Sequence, residues 1–250
     1  MNTFRSLLFA AWMYIWMGIL GILALPTLLM PRSFVLWFIR LFARVVLFGL
    51  RWICGISVEF RGQEHIPGGP ILIAGKHQAM LDVFMPFLIF KDPVLVMKRE
   101  LLWYPALGWY ALKLRLLAID RNGGAKTMKH MLAAADRRVK QEGRQMVIYP
   151  EGTRMKPGAA PYYRPAGVRA FYKSLGLPLV PMATNAGLCW PARGITRRPG
   201  KIVYEVLPPM EATLNPKTML KDLETVLEAG CERLLDEGLA AQGRTRDDLT

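Results

Sequence analysis

The chain has 250 residues, 52% of them hydrophobic, and carries a formal net charge of +14 with a sequence pI near 10.0. This length can bury a full core, the apolar content exceeds what a wholly soluble protein needs, and the positive balance favours an anionic partner. Three scattered cysteines and three histidines offer neither a disulfide framework nor a metal-ligand cluster, and without a zinc finger, basic tail or ribonucleoprotein motif the expected partner is lipid, not nucleic acid.

Between Arg5 and Arg32 the sequence runs for about 26 residues without a charge, "SLLFAAWMYIWMGILGILALPTLLMP". About 20 apolar residues suffice to cross a bilayer. The run is too long for the apolar region of a secretory signal, and Trp12, Tyr14 and Trp16 have the character of interfacial anchors. The next stretch, "SFVLWFIRLFARVVLFGLRWICG", places Arg40, Arg44 and Arg51 on one narrow helical face. That pattern fits a helix at the headgroup boundary, its arginines on lipid phosphates, or a second span with snorkelling arginines. Pro26 and Pro31 separate the two segments. Residues 1–55 are therefore expected to form a two-helix membrane anchor.

From residue 56 the pattern changes. "GISVEFRGQEHIPGGP" reads as a strand followed by a turn, and short apolar runs recur at 70–75, 93–97, 114–119, 145–149, 179–184 and 201–206. Helical patterns alternate with them. One follows Asn122 as N-cap, with Met128, Leu132, Ala135 and Val139 inward and Lys126, Lys129, Arg137 and Arg138 outward. The last spans about 218–237. The expectation is an α/β domain over 56–250, a mixed sheet flanked by helices, preceded by the N-terminal two-helix anchor.

Four stretches carry candidate chemistry. "AGKHQAMLDVF" puts His77 just past a buried strand and Asp82 five residues on. Within one helix those side chains would diverge by about 140°. With His77 in a loop and Asp82 in the first helical turn, the carboxylate can fold back, fix the imidazole tautomer and stabilise the imidazolium. Alone, the pair reads more readily as an exposed loop histidine beside a helix-starting aspartate. In "YPEGTR" (149–154), Pro150 and Gly152 shape a tight turn and Arg154 is suited to bidentate contact with phosphate. Arg121 ends "LLAIDR" as a second possible phosphate ligand, and Lys98 lies just past a strand in "VMKREL". Pro181, inside "LVPMA", suggests an edge strand or a pocket wall.

In this order "KHQAMLD", "KRELLWYPALGW" through "IDR", "YPEGTR" and "VPMA" resemble the motif series of the glycerolipid acyltransferase family, most closely its bacterial 1-acyl-sn-glycerol-3-phosphate acyltransferases. The resemblance covers roughly residues 57–210, and HxxxxD followed by EGTR is its specific part. It implies that His77 is the general base and Asp82 its partner, with Lys98 on the developing oxyanion. It further implies that Arg121, Glu151, Gly152, Thr153 and Arg154 bind the acceptor and that Pro181 belongs to the fourth motif. The implied reaction moves a fatty acyl group from acyl-CoA or acyl-acyl-carrier protein to the sn-2 hydroxyl of lysophosphatidic acid, with no metal or cofactor. The implied location is a bacterial inner membrane, with the catalytic domain on the cytosolic face. One departure is Ala79, where the family usually has serine. The serines at 6, 33, 57 and 174 lie in no GxSxG elbow, which speaks against a lipase. An acyltransferase for another lysolipid, such as a lyso-ornithine lipid, and a non-catalytic basic membrane-binding protein are the rival readings.

Overall fold

The short apolar runs become strands because each can be covered on both faces, which parallel pairing requires. In this computed structural model, which describes residues 2–120, 124–211, 215 and 218–249 except the side chains of 125 and 126, seven strands form one sheet. They are β1 (Ile56–Arg61), β2 (Ile71–Gly75), β3 (Pro93–Lys98), β4 (Leu117–Ile119), β5 (Gln145–Ile148), β6 (Leu179–Thr184) and β7 (Gly200–Val206). Their order is β1-β7-β6-β2-β5-β3-β4. Strands β6, β2, β5, β3 and β4 are mutually parallel, whereas β7 runs antiparallel to β6 and parallel to β1. The sheet is mixed, as expected.

Side chains alternate between two covers. Ile71, Ile73, Val147, Val180, Met182 and Tyr204 share a core with helices α1 (Asn2–Leu23), α2 (Arg32–Gly49) and α3 (Pro86–Ile89). On the other face Leu72, Ala74, Met146, Ile148, Leu179 and Ala183 pack against α5 (Gly124–Ala135), α6 (Pro165–Leu175) and α8 (Met219–Ala241). Two short helices, α4 (Leu107–Lys113) and α7 (Ala186–Cys189), complete the described α-helices. Arg121 and Asn122, together with the side chain of Lys126, lie outside the described residues.

Helix α1 has 22 residues, and α2 continues through a π-helical turn to Cys54 for 23, so each is long and apolar enough to cross a membrane. Both also pack on the domain. Phe9 meets the Trp190 ring edge-on at 5.5 Å, and Arg32 holds Asp92 through two hydrogen bonds of 2.6 and 2.7 Å. Of the arginine stripe, Arg44 and Arg51 are exposed. Arg40 differs from the expectation: its guanidinium donates to the carbonyls of Phe87 in α3 and of Phe90 and Lys91 just beyond it. Those carbonyls have no helical partner, and an arginine satisfies several at once.

Two expectations need correction. The run 114–119 is a strand only over 117–119, because residues 114 and 115 form the turn that ends α4, with Arg115 at φ +57°. Pro181 is not on an edge, since β6 lies between β7 and β2. Its missing donor faces the β7 side, where the chain bulges at Leu207–Pro209: Leu179 pairs with Met210, while Met182 pairs with Val206. A bulge is where a proline can sit inside a sheet without forfeiting a ladder bond.

Candidate active site

The chain leaves β2 towards β3 on one side and returns from β5 to β6 on the other. The carboxyl ends of β2 and β5 therefore mark the point where the winding direction changes, the usual place for a site in such sheets. In register, Ala74 of β2 lies beside Ile148 of β5, so His77 and the stretch Tyr149–Arg154 emerge together.

His77 is in the loop after β2, and Asp82 is in a single 3-10 turn, Met80–Val83. The carboxylate does fold back: Asp82 Oδ2 lies 2.9 Å from His77 Nδ1. The same oxygen accepts the backbone N–H groups of Gln78 at 2.6 Å and Ala79 at 2.8 Å. Oδ1 accepts the Tyr204 hydroxyl at 2.6 Å. Asp82 is fully buried, yet four donors serve it, which suits a carboxylate and assigns the imidazole proton to Nδ1. Burial, and then the charge of Asp82, push the Tyr204 hydroxyl far above its ordinary value, so it stays a donor. The His77 ring stacks on Tyr149 with centroids 4.6 Å apart, and Tyr149 donates to the backbone carbonyl of Asp82. Its Nε2 makes no hydrogen bond to the described residues, and the side chain is 17% exposed. A nitrogen so oriented and reachable can take a proton from a ligand hydroxyl.

The second motif locks this loop. Gly152 adopts φ +64°, a conformation glycine takes at little cost, and its N–H closes the turn on Tyr149 O at 3.0 Å. Glu151 Oε1 accepts the His77 backbone N–H at 3.4 Å, while Met155 N–H donates to the His77 carbonyl at 2.7 Å. Glu151 is completely buried, 3.6 Å from the Lys76 ammonium. Burial raises its carboxyl to about 7, against the pull of the Lys76 charge and two backbone N–H donors. Lys76 in turn bonds Glu228 of α8 at 2.5 Å, and Tyr163 donates to the same Glu228 oxygen at 2.7 Å. Burial alone would lower the lysine, but the Glu228 hydrogen bond and the two nearby carboxylates outweigh it and raise it.

Lys98, Thr153 and Arg154 are exposed. Neither Lys98 nor Arg154 makes an ion pair or side-chain hydrogen bond with the described residues, so both cations are open to a ligand. Lys98 ends β3, two interstrand spacings or about 10 Å from β2. Arg121 lies outside the described residues. The structure thus brings His77 into direct contact with Asp82 and Glu151, with Gly152 and Arg154 on the turn that carries Glu151, and leaves Lys98 apart and Pro181 buried within β6. Sequence reasoning missed Tyr149, Tyr204, Lys76, Tyr163 and Glu228. Only Lys76, a lysine between a buried strand and His77, carried a local signal that a buried acid must be near.

Residues 57–185 match the family model described as Acyltransferase, and a 1-acyl-sn-glycerol-3-phosphate acyltransferase of Pseudomonas aeruginosa is 32% identical over 92% of this chain and 88% of its own. The chain belongs to the acyltransferase family. Another acyltransferase, the 1-acyl-sn-glycerol-3-phosphate acyltransferase of Limnanthes douglasii, is 32% identical over 64% of this chain and 56% of its own. The mouse 1-acyl-sn-glycerol-3-phosphate acyltransferase alpha is 29% identical over 67% and 59%. The crystal structure of the Thermotoga maritima 1-acyl-sn-glycerophosphate acyltransferase shares the fold, with TM-score 0.73, 21% identity, and coverage of 94% of this chain and 99% of that one. In this acyltransferase the HxxxxD pair is His77 and Asp82.

Proposed function

We propose that this acyltransferase moves a fatty acyl group from an acyl thioester to the sn-2 hydroxyl of lysophosphatidic acid, giving phosphatidic acid for phospholipid synthesis. The observation that carries the reading is the His77 Nδ1–Asp82 bond of 2.9 Å with Nε2 left open beside the 149–154 turn. The names of the relatives support the acceptor.

A secondary hydroxyl is a weak nucleophile near neutral pH. His77 Nε2 takes its proton while the oxygen attacks the thioester carbonyl, an assistance worth roughly 10²–10⁴-fold. Asp82 stabilises the imidazolium that forms. The tetrahedral oxyanion needs donors, from Lys98 or backbone N–H groups; a thioester lying between β2 and β3 meets both His77 and Lys98. The intermediate collapses, the carbon–sulfur bond breaks, and the imidazolium returns the proton to the leaving thiolate. Attack by the acceptor's own hydroxyl needs no acyl-enzyme. Arg154, with Arg121 and the Thr153 hydroxyl, holds the acceptor phosphate. Glu151 acts behind them, as a buried brace for the His77 backbone.

Residues 1–55 serve as the membrane-binding unit and 56–250 as the catalytic one, on the cytosolic face of a bacterial inner membrane. The apolar surfaces of α1 and α2 support this reading. The deciding experiment gives purified full-length protein in vesicles a panel of lysolipids, with and without phosphate, against acyl-CoA and acyl-acyl-carrier protein, and identifies products by mass spectrometry. Phosphatidic acid as the preferred product is expected. Preference for a phosphate-free lysolipid overturns the acceptor assignment.

A further inference from the structure

The stretch "LLWYPALGW" (101–109) supplies no side chain to the acyl-transfer chemistry. In the structure Trp103 is 83% exposed, Tyr104 61%, Leu107 49%, Trp109 51% and Leu112 61%. Five large apolar side chains within ten residues form a patch of the kind that marks an interaction surface.

The segment is not a loose loop. Gly108 sits so close to Leu102 that an added Cβ would lie 1.9 Å from its carbonyl oxygen. Ala106 at φ +61° and Arg115 at φ +57° bracket α4 and are the only non-glycine residues with positive φ among those described. Such conformations persist only where the surroundings impose them. A built, rigid turn is therefore presenting these rings outward.

Its inner side is fastened to the N-terminal helices. Tyr110 donates its hydroxyl proton to Gly21 O at 2.5 Å, and the Lys113 ammonium donates to Leu28 O at 2.8 Å. Around those two carbonyls, Ile22, Leu23, Leu25 and Leu29 are exposed, Leu29 to 95%. The patch thus continues the apolar surface of α1 and the turn after it. Tryptophan and tyrosine mixed with leucine is the composition favoured at a bilayer's interfacial layer. The unpaired Lys98 and the basic Lys113 at its ends complement anionic headgroups.

We infer that residues 103–112 form a further membrane contact, inserting Trp103, Tyr104, Leu107, Trp109 and Leu112 into the headgroup–acyl boundary of the bilayer that holds α1 and α2. The inference rests on the reading of those helices as membrane-bound. The catalytic domain then touches lipid itself, close to the carboxyl edge of the sheet.

The native cysteines are buried, so an engineered exposed cysteine takes a nitroxide label selectively. Full-length Tyr104→Cys, Trp109→Cys, Ile15→Cys on α1 and Lys173→Cys on α6 are labelled and reconstituted in vesicles of phosphatidylethanolamine and phosphatidylglycerol. Collision rates with oxygen and with a nickel chelate are then measured. Labels at 104, 109 and 15 should all favour oxygen over nickel, and the label at 173 should show the reverse. Water-like labels at 104 and 109 with a lipid-like label at 15 overturn the inference and leave the anchor standing. A lipid-like signal at 104 and 109 with a water-like one at 15 supports the contact and removes α1 from the membrane. Protection from both quenchers at 104 and 109 shows a protein partner on this face and also overturns it.

Discussion

Glu151 accepts the backbone N–H of His77 across the gap between the ends of β2 and β5. The acid of one motif therefore braces the histidine of the other. If this brace positions the base, Glu151→Gln, which keeps an acceptor oxygen, should retain most of kcat. Glu151→Ala leaves a buried N–H without its acceptor, a loss of about 1–3 kcal/mol. Its kcat should fall by at least tenfold while the acceptor KM changes little. Equal kinetics for the two variants would remove Glu151 from the positioning role.

The same group links stability to pH. Burial lifts its carboxyl from an ordinary 4.5 to about 7, with the Lys76 charge opposing. Between those values the folded protein holds a proton that the unfolded chain has released. The stabilising contribution is therefore full below about pH 4.5 and is lost as pH rises through 7. At 1.36 kcal/mol per pH unit the upper bound is about 3 kcal/mol. Melting temperatures between pH 5 and 8 should fall more steeply for the wild type than for Glu151→Gln, which cannot titrate. Parallel profiles would show that another group sets the dependence.

Asp82 receives one hydroxyl, two backbone N–H groups and the imidazole. His77→Ala should remove nearly all turnover, since a base contributes roughly 10²–10⁴-fold. Tyr204→Phe removes one donor from Asp82 and leaves the imidazole bond intact. It should cost about 1–2 kcal/mol of stability and reduce kcat far less than Asp82→Asn, which disturbs the tautomer. Steady-state rates and melting curves on the three variants check this ordering; retention of more than about a tenth of turnover in His77→Ala contradicts the assigned base.

How much of this could be read from the chain follows from sequence separation. Strand β6 lies where its apolar run ended on both sides, Leu179–Thr184, because burial on both faces leaves a local signature. His77 and Asp82 were legible as a pair because five residues and one turn bring them together. Tyr204 reaches Asp82 from 122 residues away, and Glu228 reaches Lys76 from 152. Their register depends on the strand order β7-β6-β2 and on how α8 packs, and no local pattern encodes either. The apolar run before Leu117 misled for a different reason: Leu114 is buried but belongs to the turn that ends α4, and hydrophobicity alone does not tell a buried turn from a strand.

Ala79 begins the turn that carries Asp82, with extended φ −136° and ψ 165° and no side-chain cap. Asp82 reaches back to the Ala79 N–H at 2.8 Å, which is half of a reciprocal capping arrangement. The Asp82 N–H has only a 3.4 Å contact to Ala79 O. A serine hydroxyl can supply the other half. Ala79→Ser should raise stability by about 0.5–1 kcal/mol and leave kcat/KM near the wild-type value, because that oxygen touches no reacting atom. A lower melting temperature would mean that the fully buried site lacks room for one more atom.

If Arg154 holds the acceptor phosphate as proposed, its variants separate a phosphate-bearing acceptor from any other lysolipid. It projects from the turn that braces His77, is exposed, and has no partner among the described residues, so a bound phosphomonoester would be its first ion pair. Arginine binds such a group through two parallel N–H donors, a geometry that lysine cannot copy. Arg154→Lys should therefore raise the KM for lysophosphatidic acid despite the retained charge. Arg154→Ala should lose roughly 2–4 kcal/mol in kcat/KM if the phosphate is left unpaired in a closed site. The thioester's KM should move much less in both, since its carbonyl is expected between His77 and Lys98, away from the acceptor phosphate. Varying each substrate in turn for the three proteins gives the comparison. If only the thioester's KM responds, Arg154 binds the donor and the phosphate clamp must be sought elsewhere; if a phosphate-free lysolipid is unaffected and remains the better acceptor, the chain acylates a different lipid with the same His77–Asp82 chemistry.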